Sequence, residues 1–236
     1  MSLLNKIFGR SKVEEVEVNS DVIPIEIKSS SSYNNVSYGY SYPIINKKWD
    51  GEKTLGEGNF GEVKVFGDSE VAVKIAKQPF SENVSVVLEY SIMKELSSAK
   101  CCIAGAYELG INDGVVSLYM RRMLGDLSSI QNSPFVHQNV KKIMYQLCKG
   151  VYYAHSKGIY HRDIKMENIL IDAEGNAYVA DWGLACYAPF AMKNHNVVTL
   201  SYRAPEVWAN LTYTCNIDVF SLGLILVEII AGIPIV

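Results

Sequence analysis

No basic tract runs through this chain: 22 lysines and arginines face 25 acids over 236 residues, a net charge of −3. A nucleic-acid role therefore has no electrostatic footprint. No C-x-x-C pair occurs among the five cysteines at 101, 102, 148, 186 and 215. The count is odd, and adjacent Cys101 and Cys102 are poor mutual bridging partners, so the thiols read as free ones in a reducing compartment. The opening Met1–Arg10 is too short in apolar length for a signal peptide, and Ser2 stands where a myristoylated chain needs glycine. The longest apolar run, Leu222 to Val236, carries Glu228 and falls short of the roughly 18 residues that span a bilayer. The expectation is a soluble, intracellular protein with no membrane partner. Its length suits one large or two small domains, with apolar content enough for a core.

Residues 1–48 lack aliphatic surface where it would be needed to form a core. Val13–Val18 mixes acids with valines, and Ser29–Tyr42 is almost wholly Ser, Tyr, Asn and Gly. Such composition cannot offset the entropy of ordering, so a flexible amino-terminal extension is expected. Its tyrosines leave a docking or phosphorylation segment as the other reading.

From Trp49 the chain carries chemistry at fixed spacing. Thr54–Val63 holds Gly56, Gly58 and Gly61 in G-x-G-x-x-G-x-V order. Glycines let backbone amides approach phosphate oxygens, and Val63 offers an apolar face to a base. The motif alone is weak, because turns and dinucleotide folds use it too. Here Lys74, ending Val71-Ala-Val-Lys, stands thirteen residues beyond Gly61. Alternation at Val63, Val65, Val71 and Val73 predicts a strand pair turned at Gly67-Asp68. A strand lysine behind a glycine loop is placed to grip α- and β-phosphates. Apolar spacing predicts helices over Asn83–Ser97, Val136–Lys157 and Asn216–Ile230, and a strand over Val115–Met120. Between the last two helices, Tyr160–Leu170 packs Asp163, Lys165 and Asn168 into six residues. Asp163 can accept a hydroxyl proton, Lys165 can neutralise a phosphoryl group and Asn168 can offer an oxygen to a hard cation. Phosphoryl transfer needs such positioning and charge neutralisation more than covalent chemistry.

The His161-Arg-Asp163…Asn168 loop resembles that of protein kinases, and the other motifs follow in that family's order. The resemblance covers residues 49–236, about four-fifths of the chain. It implies an α+β bilobal fold, with a small β-rich lobe over about 49–119, a hinge over about 120–126 and a helical large lobe from 127. It implies ATP and Mg²⁺ as cofactors, and serine or threonine hydroxyls of a protein as the acceptor, since Lys165 follows Asp163 by two residues. Lys74 is implied to pair with Glu89, fifteen residues on, with Glu95 as the rival acid. Glu89 is favoured because Glu89-Tyr-Ser-Ile-Met-Lys-Glu-Leu96 resembles the family's register. The nucleotide is implied to contact Leu55, Gly56, Glu57, Gly58, Asn59, Phe60, Gly61, Glu62 and Val63 from the glycine loop. Ala72, the gatekeeper Met120, Met123, Asp126 near the ribose and Leu170 complete that set. Asn168 and Asp181 are the implied metal ligands. Asp218 is the implied brace of the catalytic loop, while His155 and His161 read as packed side chains rather than bases.

Several positions depart from the family's pattern. Asp181-Trp-Gly183 replaces D-F-G, and Trp182 is expected to stack on His161 and Met93. Arg121 stands where an acid is common. Val197–Glu206 resembles the cyclin-dependent and MAP kinase group, implying substrates with proline after the acceptor and leaving open a cyclin-like regulatory partner. Yet no serine or threonine lies between Gly183 and Val197; Tyr187 is the only hydroxyl and Asn194 occupies the phosphosite, so Arg162 lacks a phosphate partner. The resemblance also implies roughly 60 or more further residues beyond Val236, which would cover the last apolar helix. The alternative to an active kinase is a fragmentary or impaired kinase-like nucleotide-binding module acting as a scaffold.

Overall fold

In the computed structural model, residues 19–24, 41–44, 52–57, 61–66, 70–79, 84–97, 101–112, 115–188, 192 and 198–234 are described. The chain divides into two units, 1–45 and 46–236. In the first, where composition predicts a flexible leader, strands β1 (Asn19–Pro24) and β2 (Ser41–Ile44) pair antiparallel, with Ile23 opposite Tyr42. β-branched Val22, Ile23 and Ile44 favour extended backbone there, a local signal that the polar tract between them masks.

The second unit opens with β3 (Glu52–Glu57), β4 (Gly61–Phe66) and β5 (Val71–Pro79). Helix α1 (Val84–Glu95) precedes β6 (Ala106–Asn112) and β7 (Val115–Arg121). The five strands form one antiparallel sheet in the order β3-β4-β5-β7-β6. Val65, Val73, Leu109, Val116 and Leu118 are buried within it, as alternation along half-covered strands requires. Helix α1 packs on β6 and β7, and its Val86, Val87, Ile92 and Met93 are buried, as is Leu96 just beyond its end. Gly61 is needed for a reason beyond the phosphate loop: a Cβ there would stand 2.5 Å from the Ile75 carbonyl oxygen on β5.

A short crossing then leads through β8 (Gly125–Asp126) and α2 (Leu127–Ile130) into the long helix α3 (Pro134–Ser156). Ser133 caps α3 by accepting the Val136 N–H, and Pro134 fills the first turn where no N–H is missed. The helix therefore begins two residues before the apolar periodicity becomes visible. Its Gly150 lies against the Cys101 and Cys102 carbonyls, where a Cβ would meet oxygens at 3.1 and 2.9 Å. Four short strands follow: β9 (Ile159–Tyr160), β10 (Ile169–Ile171), β11 (Ala177–Val179) and β12 (Cys186–Tyr187). They pair as β11-β10-β8 and β12-β9. One turn of helix, α4 (Pro205–Trp208), leads to α5 (Asn216–Ala231), which packs on α3. Glu228 interrupts the apolar run of α5 because it is buried against Tyr202, whose hydroxyl donates to its carboxylate. A small β lobe, a connection and a helical lobe are thus the described architecture of this unit. Among the described residues, no helix is long and apolar enough to cross a membrane.

Candidate active site

The site is assembled where the sheet, α1 and the short strands meet. Sheet register places Val63 opposite Lys74 and Ala72 opposite Met120. Residues two apart on a strand share a face, so Val63, Ala72, Lys74 and Met120 stand on one side of the sheet. Leu170 lies opposite Asp126 in the β10–β8 pairing. Glu62 turns its side chain away from the others. It pairs with Ile75, on the face opposite Lys74, and its carboxylate accepts from Thr54 Oγ1 at 2.6 Å and meets Lys64 at 3.2 Å. Leu55 and Gly56 are exposed on β3, and Glu57 ends that strand. Gly58, Asn59 and Phe60, like the Gly67-Asp68 turn, lie outside the described residues.

Lys74 is the centre of charge. Its Nζ reaches Glu89 Oε2 at 2.8 Å and Oε1 at 3.0 Å, and Asp181 Oδ1 at 2.7 Å. Between the two acids weighed for this partner, geometry selects Glu89, which is 2% exposed, over Glu95 at the exposed end of α1. Burial alone would lower the Lys74 pKa, but the charges of Glu89 and Asp181 outweigh it and hold the ammonium above its ordinary range. Burial pushes Glu89 upward against the pull of Lys74, and a bidentate ammonium contact favours its ionised form. Burial would also raise Asp181; the nearby Lys74 reverses this and keeps it below the usual carboxylate range.

The catalytic loop is held by one buried acid. Asp218 Oδ2 accepts from the His161 N–H at 2.9 Å and Oδ1 from the Arg162 N–H at 2.8 Å. His155 Nε2 lies 2.8 Å from Oδ2, so this histidine serves the brace and not the chemistry. Arg162 has φ +68° and Asp181 φ +57°, left-handed conformations that non-glycine residues hold only where surroundings over-determine them. The Arg162 guanidinium donates from Nε to the Leu184 carbonyl. His161 accepts the Asp163 N–H at Nδ1 and pairs through Nε2 with the Ala180 carbonyl, which leaves it no role as a base. The Trp182 ring meets His161 edge-on, 4.5 Å between centroids, and is fully buried. Met93 is buried on α1, which packs on the Trp182–Leu184 turn.

Asp163 lies within reach of Lys165, whose Nζ is 3.2 Å from Oδ2. Thr199 was not anticipated. Its N–H and hydroxyl donate to Asp163 Oδ1 at 3.0 and 2.7 Å, and Lys165 donates to its Oγ1 at 3.2 Å. Thirty-six residues separate Thr199 from Asp163, so no local spacing announces the contact. Asn168 donates Nδ2 to the Asp163 carbonyl and carboxylate at 2.8 and 3.1 Å, which turns its amide oxygen away as an acceptor. The Ala180 N–H bonds the Asn168 carbonyl at 2.9 Å, which ties the backbone of Asn168 to the residue before Asp181. Asp126 caps α2, its Oδ1 accepting from Ser129 N and Ser128 Oγ.

A family model described as protein kinase domain matches residues 49–236. The chain belongs to the protein kinase family. Among known proteins, a "Probable CTD kinase subunit alpha homolog" of Encephalitozoon cuniculi (strain GB-M1) is 35% identical over 187 residues. The alignment covers 76% of this chain and 56% of that relative, so the chain spans a little over half of the relative's length. Both matches agree with a eukaryotic-type kinase near the cyclin-dependent group, and with the bilobal kinase fold. In this kinase domain the Lys74–Glu89 pair and Asp181 stand together, the arrangement that phosphoryl transfer in the family requires.

Proposed function

We propose that this kinase domain transfers the γ-phosphoryl group of MgATP to serine or threonine hydroxyls of a protein substrate. The observation that carries the proposal is the single ammonium of Lys74 held at once by Glu89 and Asp181. Asn168 and Asp181 fit a magnesium ion, because each offers an oxygen and the hard cation prefers oxygen ligands completed by phosphates and water. The bound metal would neutralise charge on the transferring phosphoryl. Lys74 orients the inner phosphates, Asp163 orients the attacking hydroxyl and takes its proton, and Lys165 stabilises charge at the γ-position. Val63, Ala72, Met120, Met123, Leu170 and Asp126 are the proposed base and ribose contacts.

Thr199 supports serine/threonine acceptors, since it fixes Asp163 and Lys165 against one another at short hydroxyl range. Val198 supports a proline after the acceptor. It has φ +66°, a strained conformation for a β-branched residue, and its carbonyl accepts from Arg203 Nε at 2.9 Å. A substrate N–H arriving there would find that acceptor taken, whereas proline has no N–H to satisfy. The relative's name describes a kinase subunit, which supports a regulatory partner for this chain as well.

The test joins binding to transfer. MgATP should raise the melting temperature by mass action, and Asp181→Asn should remove the magnesium-dependent part. Asp163→Asn should keep that shift and lose phosphate transfer to a Ser-Pro or Thr-Pro peptide. A shift without transfer by the parent chain would assign it to the nucleotide-binding scaffold reading. No shift at saturating MgATP sinks the site itself.

A further inference from the structure

Helix α3 carries three lysines and no acid in 23 residues, within a chain of net charge −3. Its buried face includes Ile143, Leu147, Gly150, Val151 and Ala154. At about 100° per residue, Lys141, Tyr145, Lys149 and Tyr152 fall within about 80° of one another on the opposite side. All four are exposed, Tyr145 by 67% and Tyr152 by 76%. Lys142 lies off this line and donates to the Gly175 carbonyl at 2.9 Å. Lysines on the outer side of a helix are ordinarily solvated and need no further account. Two tyrosines in the same row do, because each leaves most of an aromatic ring in water. Cation and aromatic alternate over about 17 Å of helix as one surface, and none of the four has a part in the chemistry above.

We propose that Lys141, Tyr145, Lys149 and Tyr152 form a docking surface for an acidic segment of the protein substrate, apart from the acceptor site. This rests on the kinase reading above. Charge complementarity selects the occupant: the row is cationic, and its phenol rings suit apolar side chains set between the acids. Spacing refines it. Four residues of helix advance about 6 Å, and two residues of extended chain about 6.6 Å. An extended segment with acid, apolar, acid, apolar at every second residue therefore meets Lys141, Tyr145, Lys149 and Tyr152 in turn. A nucleic acid fits less well, since two lysines on a chain of net negative charge release few counterions. A lipid surface fits less well too, because electrostatic membrane binding draws on clusters of about four or more basic residues. Helix α3 leads through β9 into the His161–Asp163 loop. A segment held on its outer face raises the effective concentration of the acceptor hydroxyl joined to it.

The experiment uses the full chain and a fluorescent peptide, Glu-Gln-Val-Gln-Glu-Gln-Val-Gln-Glu, with a control carrying Lys in place of each Glu. Fluorescence anisotropy should show binding of the acidic peptide and none of the basic one. Lys141→Glu with Lys149→Glu should weaken binding about tenfold or more, and Tyr145→Ser with Tyr152→Ser about threefold or more. All four positions are exposed, so both variants should melt within about 4 °C of the parent. Joined by a flexible linker to a Ser-Pro acceptor peptide, the acidic segment should lower KM about tenfold and leave kcat unchanged. The lysine variant should lose that KM advantage while phosphorylating the bare acceptor peptide as the parent does. Asp163→Asn should still bind the acidic peptide. A parent that binds it but transfers nothing sinks the kinase reading and leaves the surface standing. Equal binding by parent and lysine variant overturns the proposal. So does a joined segment that leaves KM unchanged, or light scattering that shows a parent dimer broken by the lysine substitutions, which makes a second copy the occupant.

Discussion

Replacing Asp218 by asparagine tests whether the catalytic loop is held by charge or only by shape. The change keeps volume but turns one carboxylate oxygen into an NH₂ group. Oδ2 faces two donors, the His161 N–H and His155 Nε2, and Oδ1 faces one, the Arg162 N–H. The less damaging rotamer keeps the amide oxygen at His161 and sets NH₂ against the Arg162 N–H. One charge-assisted bond is then lost, and a buried donor is left opposite another donor. A hydrogen bond to a charged group contributes about 1.5–3 kcal/mol, and an unsatisfied buried group adds about 1–3 kcal/mol. Arg162 also loses the contact that stabilises its φ of +68°. Relaxation offsets part of this, so Asp218→Asn should destabilise by about 2–4 kcal/mol. For a domain of this size that lowers Tm by about 5–15 °C. Urea unfolding supplies the magnitude and peptide phosphorylation the consequence. kcat should fall at least about tenfold while KM for ATP changes little, because Lys74, Asp181 and Asn168 make no contact with Asp218. Stability within about 0.5 kcal/mol of the parent, with kcat unchanged, would refute the brace.

Gly61→Ala should destabilise by about 1–3 kcal/mol, because its Cβ would drive against the Ile75 carbonyl; denaturant melts of the two forms compare directly, and equal midpoints remove the steric argument. Arg121→Ala should change stability by less than about 1 kcal/mol, since its contacts to Glu174 at 3.3 Å and Asp172 at 3.7 Å hang on an arginine that is 45% exposed. Serine/threonine phosphatase should leave activity intact; loss of activity together with a phosphate mapped to Thr199 or Ser201 would count against this. Asp181 has a lowered pKa, so its stabilising pair is present above the ordinary value of 3.8 and lost as pH falls through the lower folded value. The stability difference between parent and Asp181→Asn should therefore be level above about pH 4 and shrink only in stronger acid.

Legibility in the sequence followed the range of the interaction. Lys74, Asp163, Asn168 and Asp181 were visible because each sits in a short motif whose spacing reflects one turn or one strand. Glu89 needed more, since helical periodicity alone offers Glu89 and Glu95 equally, six residues apart on α1. Only the family register separated them before burial did, and burial gives the physical reason: Glu89 faces the sheet with Lys74, while Glu95 ends the helix at the surface. Helix boundaries were misjudged at α3 because Ser133 and Pro134 are terminal signals outside the apolar repeat. The strand pair at 19–44 escaped because composition was averaged over a segment in which a few β-branched residues carry the local preference.

What the sequence hid are the bonds that cross the chain without a motif. Thr199 on Asp163, Tyr202 on Glu228 and Tyr187 on Glu95 each join residues 26 to 92 positions apart. In none of the three do both partners lie in one helix or strand, so no periodicity could pair them. They share a chemical form, a hydroxyl donated to a carboxylate, and each has one end on the chain between Asp181 and α4. That stretch contains no regular element longer than three residues among those described. A segment with so few backbone ladders must be positioned by side-chain bonds, and hydroxyl–carboxylate pairs are the strong neutral-to-charged kind available to it. The same dependence makes the segment sensitive to added charge. Burial protects the Tyr202–Glu228 pair, and the catalytic loop encloses Thr199. Tyr187 alone of the three holds its carboxylate at the surface, where Glu95 is exposed.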